Sequence, residues 1–352
     1  MKFTKTQLIL AIEEDLLSFL FSAKKEGIIY GITKQASLIL FKNAVPIERW
    51  EIPDSKIDWK KEIQVQLSPN EQYLSISNTY GQYGLVLDLA TSLKVMELNR
   101  QDYQVEHSGF PLLFFEKEGK QYLIHATDWN KIDITELDSR RLLTERNNTQ
   151  YEQPHYLDYF YGELHLCPKG KSLLSSGWLW GPASYLRFIE LNPWLRENKN
   201  QSELGSPANL CIMSYYWDRA LCWVDDSRIA YLYDPREEGF DKKESVEEGY
   251  KTNAGHIILY NIHQFTAEKK ISFEGFSRNE YQGASPDCRL YFFKQRLLIS
   301  SLAKGTYVLD IDSGKTLAHE AEMYLERRIP GSKKFCREKE GKKIEIIEIV
   351  SA

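Results

Sequence analysis

One grammar recurs along this chain and constrains its fold more than any single motif. An apolar strand carries an acidic or amide residue, a polar turn follows, and a second strand closes the unit. It reads GLVLDLATSLKVMEL from Gly84, KIDITELDSRRLLTE from Lys131 and SYLRFIELNPWLRE from Ser184. It returns as HIILYNIHQFTAEKKISF from His256, GTYVLDIDSGKTLAHE from Gly305 and KIEIIEIV from Lys343. SLILFKNAVPIERWEI from Ser37 fits more loosely. The recurring polar position is Asp88, Glu136, Glu190, Asn261, Asp310 and Glu348, with Phe41 in the first copy. Successive spacings from Phe41 are 47, 48, 54, 71, 49 and 38 residues, and all but one lie near the roughly 40–50 of a four-stranded repeat unit. The exception contains a charge-rich stretch, residues 236–255, with both charge signs and no apolar stripe. Such a stretch is expected to be a mobile loop insertion or an arm that orders on a partner.

Upstream of each of these strands sits another pair joined by a polar turn. Examples are IQVQLSPNEQYLSIS (63–77), PLLFFEKEGKQYLIHA (111–126), ELHLCPKGKSLLSSG (163–177) and ALCWVDDSRIAYLYD (220–234). RLYFFKQRLLISSL (289–302) and YLERRIPGSKKFCREKE (324–340) follow the same plan. Turn residues between apolar runs are the hairpin signal. Seven such copies predict an all-β chain, a single domain over 1–352 built as a seven-bladed β-propeller of four-stranded antiparallel blades. The last copy stops at Ala352 with three strands. The run from Thr6 to Glu13 is expected to supply its outer strand, which leaves no open seam. A short amphipathic helix over 7–21 is the rival reading.

The SPNEQYL (68–74), CPKGKSL (167–173) and VLDIDSGKTL (308–317) segments resemble the turn and strand consensus of WD40-type blades. The resemblance spans nearly the whole chain as seven degenerate copies. The Trp of the WD pair is replaced and the Gly-His dipeptide is missing, so the family's hydrogen-bond network is not implied. HYLDYFYGELHLCPKGKSLLSSGWLWGPASYLRFIELNPWL, with YYWDRALCWVDD after it, is similar to a group of uncharacterised bacterial WD40-like proteins. That similarity implies a bacterial cytoplasmic protein and no reaction.

Composition excludes little more. A net charge of -5 offers no electrostatic reason to expect nucleic acid or an anionic membrane as partner. The apolar core Leu8–Ile12 is interrupted by Glu13, Glu14 and Asp15, too short for a signal segment or a spanning helix. The five cysteines, Cys167, Cys211, Cys222, Cys288 and Cys336, form no CxxC pair and read as reduced thiols of a cytoplasmic protein. The expected state is a monomer.

Catalytic signatures are missing: there is no GxSxG elbow, no phosphate loop and no HExxH, and no cofactor or metal is expected. The recurring carboxylates could gather on a metal only from the innermost strands. They fall on the third strand instead, where a turn-forming or bridging role is expected. Aromatic loops carry the functional reading. Trp178 and Trp180 fall in GWLWGPAS, between the second and third strands of blade four. Tyr215, Tyr216, Trp217, Asp218 and Arg219 precede blade five, while Asp128, Trp129, Tyr80 and Tyr83 fall in the equivalent loops of earlier blades. These loops share one face, and loops on a rigid scaffold are where binding residues collect. The reading is a non-enzymatic scaffold that holds a protein or peptide on that face. A metal-dependent lactonase-like hydrolase and a small-molecule-binding regulator are the alternatives, and rings that merely wedge blades together are the plain one.

Overall fold

The computed structural model describes residues 2–179, 183–204, 212–214, 220–233, 255–273, 288–302, 304–339 and 341–350. The chain forms seven four-stranded antiparallel sheets arranged as the blades of a β-propeller. After β1 (Lys2–Ile9), blade one holds β2 (Leu16–Phe21), β3 (Ile28–Thr33), β4 (Ser37–Lys42) and β5 (Val45–Glu51). Blade two holds β6 (Ile63–Leu67), β7 (Tyr73–Asn78), β8 (Tyr83–Asp88) and β9 (Leu93–Asn99). Blade three holds β10 (Leu112–Lys117), β11 (Lys120–Asp128), β12 (Lys131–Glu136) and β13 (Arg141–Leu142). Blade four holds β14 (Tyr159–Leu166), β15 (Ser172–Leu179), β16 (Ala183–Glu190), the helices α1 (Leu191–Arg196) and α2 (Gln201–Leu204), and β17 (Ile212–Ser214). Blade five holds β18 (Leu221–Trp223), β19 (Arg228–Tyr233), β20 (Gly255–Asn261) and β21 (Thr266–Phe273). Blade six holds β22 (Cys288–Phe293), β23 (Arg296–Ser301), β24 (Gly305–Asp310) and β25 (Thr316–Glu320). Blade seven joins β26 (Arg327–Arg328), β27 (Lys334–Glu338) and β28 (Lys343–Val350) to β1.

Seven apolar clusters hold the ring, one at each seam. Ile32, Leu38, Leu74 and Leu85 meet between blades one and two, and Ile124, Ile134, Leu173 and Trp194 between three and four. The seam that joins the chain's two ends is equally filled, by Leu16, Phe19, Phe41, Ile329, Cys336 and Ile344. Second strands such as β3 and β7 are wholly buried, sandwiched on both faces. Outer strands such as β5 are mostly exposed. The innermost strands present free edges, and side chains of neighbouring blades cover them. Gln64 and Gln66 donate to the carbonyls of Phe110 and Leu112 (both 2.9 Å), and Trp223 Nε1 donates to that of His165 (3.0 Å). The Tyr291 hydroxyl donates to Glu326 O (2.7 Å), and Arg327 donates to Phe19 O (2.8 Å). An uncovered edge invites foreign strands, so these bonds serve closure as well as cohesion.

The closing strand forms, with different bounds. β1 pairs with β28 in continuous register from Lys2 opposite Val350 to Ile9 opposite Lys343, instead of running from Thr6 to Glu13. Leu10 explains the shift: it turns out of the strand into the last seam, 1% exposed, and its N–H donates to Lys342 O. The helix over 7–21 does not form; β1 and β2 occupy its place.

Three further details depart from expectation. In blade one the register equivalent of the recurring polar residue is Lys42, opposite Ile28, and Phe41 beside it is core. NPWLR is helical, not a strand: Pro193 sits in the first turn of α1, where its missing N–H costs nothing, and Trp194 is buried. The 71-residue spacing therefore has two sources, this helical excursion between β16 and β17 and the segment between β19 and β20. Nearly all of that second segment, the 236–255 insertion, lies outside the described residues. Three of the recurring polar residues, Asp88, Asn261 and Asp310, hydrogen-bond to their own turns. Asp88 Oδ1 accepts the N–H groups of Ala90 and Thr91, Asn261 those of His263 and Gln264, and Asp310 that of Ser313. Cys167, Cys222, Cys288 and Cys336 are free thiols; Cys211 lies outside the described residues. Among the described residues, no helix is long and apolar enough to cross a membrane.

Candidate functional site

Two long connections between blades rise on the face that carries the loops between second and third strands, and a buried arginine pins each. Arg100 directly follows β9 and is 3% exposed. Its guanidinium donates to Gly81 O (2.7 Å), Val105 O (2.8 Å), Ser108 O (2.8 Å) and Gly109 O (3.0 Å). Backbone carbonyls thus satisfy it, and the connection from Gln101 to Gly109 is wrapped around the side chain. Burial lowers Arg100 to about 10, with Glu106 and Tyr80 opposing the shift. Gln101 and Gln104 take positive φ, 64° and 55°, strain that a pinned loop can hold. The loop's product is Tyr103, lifted to 44% exposure.

The connection from blade three to blade four is pinned by Arg146, whose side chain is 6% exposed. It pairs with Asp133 of β12, fully buried, and with Glu203 of α2. It also donates to Ser202 Oγ (2.7 Å), Thr144 O (2.9 Å) and Ile132 O (3.1 Å). Burial pulls the guanidinium down, but Glu203 and Asp133 outweigh it and hold Arg146 above its ordinary value. Arg187 of β16 fastens the other end of α2 by donating to Ser202 O (3.0 Å) and Glu203 O (2.7 Å). Asn130 Nδ2 donates to Leu157 O (3.0 Å), and Lys131 Nζ donates to Arg146 O (3.1 Å). The α2 excursion of blade four therefore positions a loop of blade three.

Aromatic rings converge between these loops. Phe160 of β14 stacks on Trp178 of β15, centroids 3.9 Å apart and planes within 6°. The two are direct register partners, and a register slip follows between Tyr161 and Leu164. It brings Gly162 so near the Ser176 carbonyl that a Cβ would lie 2.2 Å from the oxygen. On this floor sit Trp129, 4.7 Å from Phe160, and Tyr103, stacked 5.8 Å from Phe160 and edge-on to Trp129 at 5.1 Å. Tyr156 approaches Trp129 at 6.5 Å, and Tyr151 packs on Tyr156 at 5.6 Å. The cluster grades from buried Phe160 and Trp178, through half-buried Trp129 and Tyr156, to Tyr151 at 81% exposure. Solvent-facing rings set on a buried stack offer a large apolar surface at little entropic cost.

Of the residues expected from sequence, Trp129 joins this cluster, and Asp128 holds its backbone by accepting the Trp129 N–H at 2.8 Å. Trp178 lies within β15 itself, not in a loop, and forms the floor at 5% exposure. Tyr83 opens β8 with the Lys56 ammonium 4.9 Å from its ring centroid. Tyr80 is half-buried within electrostatic reach of Arg100. Trp180, Tyr215, Tyr216, Trp217 and Asp218 lie outside the described residues. Sequence reasoning missed Tyr103, Tyr151, Tyr156 and Phe160. The available signal was the same connection class that drew attention to Tyr215–Trp217.

Away from these rings, Glu163 and His165 lie on β14 and Arg289 on β22, the first strands of blades four and six. Burial lowers Arg289, but Glu163, Tyr324 and Tyr291 more than reverse this and raise it. Among the described residues, no group of three or more His, Cys, Asp or Glu side chains is placed to hold a metal. No family model matches the chain, and no curated protein matches it.

Proposed function

We propose that the chain is a non-enzymatic scaffold that holds a protein or peptide on the face built by the loops of blades two to four. One observation carries this reading: rings from four separate segments converge, and the outermost stay open to solvent while the innermost are packed. Hot spots combine such anchored aromatic groups with polar neighbours. The buried arginines beneath serve preorganisation, which lowers the entropic cost of binding. The propeller fold and the resemblance to bacterial WD40-like proteins are compatible with a cytoplasmic adaptor, as are the free thiols.

The test compares immobilised wild type with Trp129→Ala/Tyr151→Ala in native extract. A protein retained by wild type and lost by the variant, at an unchanged melting temperature, supports the reading. Equal retention by both overturns it.

A further inference from the structure

The charges around the aromatic face are one-sided. The segments that build it, residues 100–111, 128–131 and 143–158, hold six carboxylates: Asp102, Glu106, Asp128, Glu145, Glu152 and Asp158. Their lysines and arginines are Arg100, Lys131 and Arg146 alone. All three are turned inward: Arg100 is 3% exposed, and the side chains of Lys131 and Arg146 are 14% and 6% exposed. Each spends its hydrogens on backbone carbonyls, with Arg146 also pairing with Asp133 and Glu203. His107, beside Glu106, and His155 add positive charge only when protonated. The surface these three segments present to a partner is therefore aromatic and acidic.

Asp158 sharpens this picture. It is half-buried at the end of the second connection, and among the described residues its carboxylate has no hydrogen bond and no ion pair. Burial alone raises it, with no cation to reverse the shift. Burial raises the Tyr156 hydroxyl, and Asp158, Tyr103 and Tyr151 add to that rise. A partly desolvated carboxylate without a counter-charge is held at a cost that an incoming cation relieves. The ring faces beside it attract the same group, since guanidinium and ammonium bind the negative face of aromatic rings.

We propose that this face recognises a basic peptide segment of a partner protein, an arginine or lysine side chain lying over the Trp129, Tyr156 and Tyr151 rings with its charge against Asp158. The proposal rests on the scaffold reading and specifies its ligand class. An acidic segment would meet six like charges, and a purely apolar one would leave Asp158 buried without compensation. The exposed carboxylates Asp102, Glu145 and Glu152 add longer-range attraction, which salt weakens.

The experiment selects random peptides displayed on phage against the full-length chain, in parallel with Asp158→Asn and Trp129→Ala/Tyr151→Ala. The expected result is enrichment of arginine and lysine with depletion of aspartate and glutamate on wild type, lost on both variants. In fluorescence anisotropy the best peptide should weaken by about tenfold or more when its key arginine becomes citrulline, the loss of one charge-assisted contact. Asp158→Asn should weaken it similarly and then show a smaller further loss with citrulline, the part owed to the rings and the outlying carboxylates. Neutral or acidic peptides selected by wild type and lost on Trp129→Ala/Tyr151→Ala would overturn the basic class and leave the scaffold reading standing. Peptides that bind wild type and Trp129→Ala/Tyr151→Ala alike, or no selection at all, would overturn both. Competition by free arginine amide at concentrations equal to the peptide's would overturn the peptide as ligand in favour of a small cation.

Discussion

Arg146→Met isolates the contribution of the buried ion network to both fold and site. Methionine keeps the unbranched stem and removes the guanidinium. Asp133, fully buried, then retains the hydroxyls of Thr144 (2.7 Å) and Thr127 (2.5 Å), with Lys131 at 3.8 Å. Glu203, its side chain 3% exposed, retains Ser202 Oγ at 2.9 Å. Breaking a buried pair from one side strands a charge and costs about 3–5 kcal/mol. With an unfolding entropy of about 2 cal/mol/K per residue, a chain of 352 residues should melt about 4–7 °C lower. Calorimetry gives the shift, and urea unfolding gives the free energy if the transition is cooperative. Adding Glu203→Gln to Arg146→Met should recover part of the loss, because one stranded charge is gone. Amide exchange should accelerate at Tyr151–Asp158, which this network positions. An Arg146→Met protein that melts within about 1 °C of wild type, with unchanged exchange there, would refute the account.

Trp178→Ala should cost about 3–5 kcal/mol, the usual loss for a large buried aromatic, whereas Tyr151→Ala should stay within about 0.5 kcal/mol; denaturant unfolding of both checks the division between floor and surface. Deleting residues 2–9 strips β28 of its outer partner, so the truncated chain should melt earlier and self-associate through the exposed edge, as light scattering would show. Burial raises Asp158 in the folded state, so its contribution to stability is fully present below the unfolded carboxylate range and is lost as pH rises through the folded value. Asp158→Asn should therefore equal or exceed wild type in stability at neutral pH and lose the advantage in acid, read from melting temperatures across pH. Burial pushes Cys336, 2% exposed, up to about 12, so it should resist iodoacetamide in the native chain at pH 8 and react once the chain is unfolded.

The blade count was legible because hairpins of the inner strands are punctuated by turn residues and buried on both faces. The outer strands carried no such signal. β1 is exposed along most of its length, so the apolar run that marked it, Leu8–Ile12, drew the boundary too late. β13 is two residues long and β17 three, too short for any alternation, and the helical NPWLR filled the place where an outer strand was expected. Trp129 was legible as part of the loop between second and third strands, although Asp128 beside it ends β11 itself. Tyr103, Tyr151 and Tyr156 were not, because the connections that bear them have no period. What brings them together is a pair of arginines: Arg100 bonds mainly to backbone carbonyls, which leave no trace in side-chain identity, and Arg146 pairs with carboxylates distant in sequence. The dependence of blade three's loop on Glu203, fifty-seven residues away from Arg146, is likewise a product of tertiary structure.

Hydrogen–deuterium exchange of the chain with and without its bound partner or selected basic peptide tests the central claim most directly. The account predicts protection confined to residues 101–110, 128–131 and 145–158, weakened in Trp129→Ala/Tyr151→Ala. Protection that leaves these segments unchanged and falls instead on the opposite-face turns, such as Ser68–Gln72 or Cys167–Lys171, would contradict it.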